Sequence, residues 1–203
     1  MPGKELPLSM QTNQKIQAAF NAFDDYNSAD PETELVDGKN TPRALVYGQR
    51  MSARLNQFDS NASEAVQLSA RCQHVGRWEI ARNTYAMDKK GYFQWRHAEK
   101  VHQCNIADKI LRECEFDEVI IEKVKFLLMK KELQSNSDTK LLEDVICLVF
   151  IEFYLEEFAA KHDDEKVIDI LQKTIKKMTP KAIDEISSLS LSDKIKLLIQ
   201  KAT

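Results

Sequence analysis

The stretch NASEAVQLSARCQHVGRW, from Asn61 to Trp78, shows the helical character of the chain. It opens with a capping pattern, in which Asn61 can accept a hydrogen bond from the first turn and Glu64 can reach back to it. An apolar stripe at helical spacing follows, made of Ala65, Leu68, Cys72 and Val75. A polar stripe runs beside it, made of Glu64, Gln67, Arg71, His74 and Trp78. We therefore predict one helix through this stretch, with its polar face turned toward a cleft.

The same periodicity recurs along almost the whole chain, and strand-like alternation is absent. Further helices are predicted over 12–23, 43–58, 93–114, 117–132, 139–160, 165–177, 180–187 and 193–201. Residues 26–42, which hold Asp30-Pro31, Gly38 and Pro42, read as one long loop. No Gly/Ser-rich linker divides the chain, so we expect a single all-α domain over 1–203, with a flexible N-terminus over 1–10.

The composition limits the binding partners and the cellular compartment that we expect for this chain. The net charge of −3 provides no global basic field, so nucleic acid is not an expected partner. The longest apolar run, 145–151, is too short to cross a bilayer, and no signal peptide begins the chain. A cytoplasmic location without membrane contact is expected. The four cysteines form no CxxC pair and occupy apolar helical positions, which favours reduced core thiols over zinc ligands.

Three residues could form a metal site if their helices converge. His74 ends the polar stripe, His102 lies in the middle of the next long helix, and Asp144 opens the most apolar helix. Two imidazoles and a carboxylate suit zinc, manganese or iron. The alternatives are that both histidines are surface or hydrogen-bonded residues, and that Asp144 serves a helix N-terminus or pairs with Arg71 or Arg77.

Arginines and aromatic residues are interleaved around the same stretch. Guanidinium groups suit phosphate or carboxylate, so the pattern predicts a pocket for a small anionic or phosphorylated ligand. The alternative is a scattered, solvated face. The candidate residues are Arg71, Arg77, Arg82, Arg96, Trp78 and Trp95.

Three segments carry a resemblance to an uncharacterised family classed as a domain of unknown function. They are RALVYGQRMSARL (43–55), ASEAVQLSARCQHVGRWEIARNTYAMDKKGYFQWR (62–96) and LLEDVICLVFIEFYLEEFAAKHDDEKVIDILQKT (141–174). Some family members carry a glutamyl-tRNA synthetase label. HVGR (74–77) and KMTPK (177–181) echo synthetase signatures only superficially, and no βαβ pattern accompanies them. We predict that the chain is not such a synthetase.

A wider resemblance is to HD-domain phosphohydrolases, which are all-helical and hold metals on a His…His-Asp…Asp set. It rests on LSARCQHVGRW (68–78), VHQCNIADKIL (101–111) and LLEDVICLVF (141–150). On that frame Tyr47 stands at the first histidine, Gln73 and His74 at the His-Asp pair, and Asp144 at the last aspartate. The chain therefore departs from the pattern at its first three ligands.

The HD-like resemblance implies a divergent metal-dependent phosphohydrolase acting on a nucleotide or small phosphorylated molecule. The catalytic residues would be His74, Asp144, Arg71 and Arg77, and the metal ligands His74, His102 and Asp144. Ligand binding would fall to Arg82, Arg96, Trp78, Trp95, Tyr47 and Gln73. The missing ligands leave an alternative open, a non-catalytic module that binds an anionic ligand in a degenerate HD-like cleft.

Overall fold

A computed structural model describes residues 8–203, with side chains from residue 13 onward. The ten α-helices are α1 (Leu8–Asn27), α2 (Arg43–Phe58), α3 (Glu64–Cys72), α4 (Lys89–Glu113), α5 (Glu118–Leu128), α6 (Ser137–Val149), α7 (Leu155–Ala160), α8 (Asp164–Ile175), α9 (Pro180–Glu185) and α10 (Asp193–Ala202). A π-helical turn, Phe150–Tyr154, joins α6 to α7. The all-α fold class is confirmed. Of the N-terminal segment expected to be flexible, residues 1–7 lie outside the described part, and 8–10 belong to α1.

The loop predicted over 26–42 is wrong in part, because it contains a small hairpin. Strands β1 (Thr33–Val36) and β2 (Lys39–Pro42) pair antiparallel. Asp37 and Gly38 connect them with φ values of 49° and 77°, which is the left-handed backbone that two-residue hairpin turns need. The strands are short and mostly polar, so alternation does not reveal them, although the Asp-Gly pair is a hairpin signal.

The helix predicted through Trp78 ends earlier, at Cys72. Ser63, not Asn61, caps it by accepting a hydrogen bond from the Val66 N–H at 3.4 Å. His74 and Gly76 then have positive φ values of 72° and 62°, and a 3₁₀ turn follows over Arg77–Glu79. A Cβ at Gly76 would lie 2.3 Å from Ile106 Cδ1, so glycine permits this turn to pack against α4. The continuous polar stripe expected beyond Arg71 therefore does not form.

One continuous cluster of buried apolar side chains runs from Ile16 in α1 to Leu198 in α10. Helices α3 and α6 lie within it, since most of their residues are buried. The four cysteines are free thiols and three of them are buried, as predicted. Among residues 8–203, no helix is both apolar enough and long enough to span a membrane.

Candidate functional site: a cationic cluster around His74

His74 lies just beyond the end of α3, in a strained left-handed conformation that non-glycine residues adopt at a cost. Its ring stacks on Tyr47 of α2, with centroids 4.2 Å apart and planes inclined by 24°. Arg77 Nη1 lies 3.1 Å from His74 Nε2 and 3.3 Å from Nδ1. Because a guanidinium only donates hydrogen bonds, the ring nitrogen that accepts from it carries a lone pair. A hydrogen bond from Arg77 to the ring therefore requires an unprotonated His74 nitrogen.

The electrostatic surroundings of His74 agree with a neutral ring. Burial lowers its pKa well below the ordinary value, and the positive charges of Arg77, Arg96 and Lys130 lower it further. These cations come from three separate parts of the chain, namely the 3₁₀ turn after α3, helix α4 and the end of α5. The positive charges that act on His74 therefore come from residues that are far apart in the sequence.

A buried carboxylate, Glu99 of α4, holds two of these cations. Its side chain is fully buried, Arg96 donates to its Oε2 at 2.6 Å, and Arg77 Nε lies 2.9 Å from its Oε1. The two guanidinium groups also lie over the ring of Trp95, 5.5 and 5.7 Å from its centroid. Glu99 and Trp95 together position both arginines beside His74.

A second buried carboxylate, Glu143 of α6, holds a pair of lysines. Glu143 is 3% exposed; Lys130 Nζ donates to it at 2.5 Å, and Lys177 Nζ lies 3.7 Å away. Burial alone would raise the pKa of Glu143, but Lys130 and Lys177 hold it below its ordinary value. Lys130 has a φ of 54° because it occupies the left-handed position that ends α5, where glycine is usual.

A fifth cation, Lys100, completes the group. Burial lowers its pKa, and so do the charges of Lys130 and Arg96. We call these side chains the His74 cluster: His74, Arg77, Arg96, Glu99, Lys100, Lys130, Glu143 and Lys177. Five cations against two carboxylates and a neutral imidazole leave the cluster with an excess of positive charge.

Two buried glutamines flank the cluster with oxygen atoms that no described group satisfies. Gln73 adjoins His74 in sequence, and Gln103 lies one helical turn from Glu99 on α4; each is at most 2% exposed. Neither side-chain oxygen has a hydrogen-bond partner among residues 13–203. Buried polar atoms are rarely left unpaired, so this region retains unused hydrogen-bonding capacity.

The structure brings together Tyr47, His74, Arg77 and Arg96 from the predicted site, with Gln73 and Trp95 beside them. Arg82 lies in a second 3₁₀ turn, Arg82–Thr84, where it donates to the Tyr85 carbonyl at 3.1 Å and lies 5.7 Å from the Trp95 centroid. The arginines and Trp95 were predicted from their interleaved pattern around His74, and Tyr47 and Gln73 from the HD-like resemblance.

Other predicted site residues have partners elsewhere. Arg71 faces α1, where its guanidinium makes a two-point contact with Asp24 at 2.7 and 2.5 Å. Trp78 packs against Tyr26, with ring centroids 5.9 Å apart. His102 Nε2 lies 2.6 Å from a Glu79 oxygen. Arg71, Trp78 and His102 therefore each have a partner outside the His74 cluster.

Asp144 has a structural partner in α9. Its carboxylate accepts hydrogen bonds from the Thr179 N–H at 2.8 Å and from the Thr179 hydroxyl at 2.6 Å. Thr179 in turn caps α9, so Asp144 stabilises the start of that helix, which is close to the alternative that the sequence left open. Burial raises the pKa of Asp144, against the lowering effect of the Thr179 hydrogen bonds.

Comparison with known proteins places the chain in a family. The model of a family described as a domain of unknown function (DUF4202) matches residues 17–199. The chain belongs to this family. No curated protein and no solved structure matches the chain. The DUF4202 membership agrees with the first resemblance drawn from the sequence, and the HD-like frame stays a prediction.

The metal site that the HD-like resemblance implies does not fit the residues of this DUF4202 chain. His102 is engaged with Glu79, and Asp144 with Thr179, so neither joins His74. Within the described residues, no group of three or more His, Cys, Asp or Glu side chains could hold a metal ion. The expected triad is therefore not assembled among the described residues.

Sequence reasoning missed Glu99, Lys100, Lys130, Glu143 and Lys177. One signal was available, because Arg96, Glu99, Lys100 and Gln103 recur at helical spacing and place polar groups on one face of α4. Nothing in the sequence pairs Lys130 or Lys177 with Glu143, since ion pairs between distant segments leave no periodic pattern. Two surface grooves, of about 650 and 750 Å³, lie along α4 and between α4 and α5, outside the cluster.

Proposed function

We propose that the His74 cluster binds a small anionic ligand, with phosphorylated molecules as the favoured class. The observation that carries this proposal is the excess of cations over carboxylates around a neutral histidine. Clustered like charges repel one another and destabilise the folded protein, and a bound anion would balance them. The planar guanidinium groups of Arg77 and Arg96 match the geometry of phosphate oxygens.

The two buried carboxylates position the cations of the cluster. Glu99 and Glu143 hold four cations in place before a ligand arrives, which reduces the entropy lost when those side chains bind it. They neutralise only part of the positive charge. A preorganised anion site requires both features, namely carboxylates that position the cations and cations that attract the anion.

Hydrolysis of a phosphate ester at the same cluster is the second candidate function. The neutral His74 favours it, because an unprotonated imidazole beside cations could accept a proton from an attacking water molecule. The cations would stabilise charge on the phosphoryl oxygens. Release of inorganic phosphate from nucleotides or other phosphate esters, lost on His74→Asn, would establish this activity.

Thermal-shift and calorimetric titrations test the binding proposal directly. Inorganic phosphate, pyrophosphate, nucleotides and dicarboxylates are titrated into the wild-type chain and into an Arg77→Gln/Lys130→Gln variant. We expect saturable stabilisation of the wild type, since a ligand that binds only the folded state raises its melting temperature. The double variant loses two cluster cations and should lose most of this stabilisation.

Arg71→Gln is the matched control, because Arg71 belongs to the same sequence motif but pairs with Asp24. Its baseline stability should fall while its ligand-induced shift is kept. An equal loss of the shift in both variants, or no saturable shift in the wild type, would contradict the proposed function.

A further inference from the structure

Arg77 occupies a position from which it can serve either His74 or a ligand. Its Nη1 contacts the imidazole nitrogens, while its Nε faces Glu99. The side chain is 37% exposed, so an anion can reach the guanidinium from solvent. An anion that accepts the Nη1 N–H now directed at His74 takes that hydrogen bond from the ring, because each N–H serves one strong acceptor at a time.

Resting on the proposed function above, we propose that a phosphate-type dianion enters the His74 cluster together with a proton, which His74 takes up. Once Arg77 turns to the anion, a ring nitrogen of His74 is left with a free lone pair. Proton uptake converts that nitrogen from an acceptor into a charged donor, which can hydrogen-bond the anion itself. The proton comes from solvent, and no bond other than the new N–H is formed.

The surroundings of the ring favour this exchange. In the free protein, burial and three cations oppose a charge on His74. A bound dianion offsets those cations and adds an opposite charge nearby, which favours the imidazolium. The stacked Tyr47 ring keeps the imidazole in place in either state. Binding and protonation therefore strengthen each other, as linkage requires.

Among the other titratable groups near His74, one could take up the proton in place of His74. Burial raises the pKa values of Tyr47, Tyr154 and Cys147, so these groups stay protonated across the neutral range. Arg77 and Arg96 both pair with Glu99, which lies between them. Lys130 and Lys177 hold the pKa of Glu143 low. Lys100 is the competitor, because its pKa is lowered.

Nuclear magnetic resonance of the imidazole groups, with inorganic sulfate as the probe, tests the proposal. Sulfate stays a dianion across the neutral range, so its own titration does not interfere. The chain has four histidines, and single variants at His97, His102 and His162 assign the His74 signals even if His74→Asn were unstable. We expect His74 to be neutral without sulfate and protonated at saturating sulfate near neutral pH.

Calorimetry in two buffers of different ionisation enthalpy counts the protons taken up. Sulfate affinity should rise on acidification by up to about tenfold per pH unit for one linked proton. Lys100→Arg keeps the charge but cannot titrate, and it should retain the uptake. His74→Asn suits a left-handed backbone and should bind sulfate without uptake.

Three results would overturn the proposal. They are sulfate binding with a His74 ring that stays neutral, uptake that persists in His74→Asn, and uptake that disappears in Lys100→Arg. The first of these leaves the proposed binding function intact. If the wild type binds none of sulfate, phosphate and pyrophosphate, both the proton-uptake proposal and the proposed binding function are wrong.

Discussion

The Glu99→Gln substitution removes one buried negative charge from between two guanidinium groups and keeps the size of the side chain. Glu99 is fully buried, with Arg96 Nη1 at 2.6 Å and Arg77 Nε at 2.9 Å. Removing one partner of a buried ion pair costs about 3–5 kcal/mol. The arginines are partly solvated, with side chains 37% and 25% exposed, so we expect the lower end, about 3 kcal/mol.

The same substitution should strengthen anion binding. Glu99 repels a ligand bound one guanidinium away, and a unit charge about 6 Å from a monoanion contributes about 3 kcal/mol at an effective dielectric constant of 20. Ordering two arginines that Glu99 no longer holds costs about 1 kcal/mol each. The net gain is about 1 kcal/mol, or roughly fivefold in affinity. Glu99→Gln is therefore expected to be less stable and to bind more tightly.

Urea denaturation with and without inorganic phosphate, together with calorimetric titration, measures both effects. The stability difference between wild type and Glu99→Gln should shrink as phosphate is added. Asp24→Asn is the control, because the Arg71–Asp24 pair is also a close, partly buried contact but lies outside the cluster. It should lose stability by the same amount at every phosphate concentration and keep its affinity.

Two outcomes would refute this reasoning. Weaker phosphate binding by Glu99→Gln would mean that positioning outweighs repulsion at this site. A stability loss that phosphate does not reduce would mean that the anion binds outside the reach of Glu99.

Three further predictions concern residues around the cluster and in the core. Asp144→Ala removes both acceptors from Thr179 and should lower the free energy of unfolding, measured in urea, by about 3 kcal/mol. Its phosphate affinity should stay unchanged, and a loss of phosphate binding would show that Asp144 belongs to the site. The pKa of His74 is lowered below 6.5, so the unfolded chain takes up the proton first as the pH falls. The wild type should therefore lose up to about 1.4 kcal/mol of stability per pH unit below that value, and His74→Asn should lose less over the same denaturation series. Gly48→Ala should destabilise the packing of α2 against α3 by about 1–3 kcal/mol, because the new Cβ would lie 2.6 Å from the Arg71 carbonyl oxygen. This cost should exceed the gain from the better helix propensity of alanine. An unchanged or higher melting temperature would show that the two helices move apart to accept the methyl group.

The helices could be predicted where apolar spacing determines them. Helix α2 begins and ends at the predicted residues, Arg43 and Phe58, because its apolar face is regular and Asp59 follows in an extended conformation. The end of α3 could not be predicted in this way. Its apolar spacing continues through Val75, whereas the chain turns at His74 and Gly76, whose positive φ values no periodic pattern reveals.

The site could be predicted only as far as neighbours in sequence share it. His74 and Arg77 lie in one turn, and the motif around them indicated an anion site. His102 and Asp144 were grouped with them because their helices could converge, but the side chains face Glu79 and Thr179 instead. Periodicity identifies the face of a helix and not the residue that meets it. The pairing of Lys130 with Glu143 escaped prediction for the same reason.

The most direct test of the anion site is a titration of inorganic phosphate into the ¹⁵N-labelled wild-type chain, followed by its amide resonances. The account predicts saturable shifts at residues 73–77, along the 96–103 face of α4 and at Lys130. Shifts that do not saturate, or that are confined to other basic residues such as Lys89 and Lys90, would contradict it.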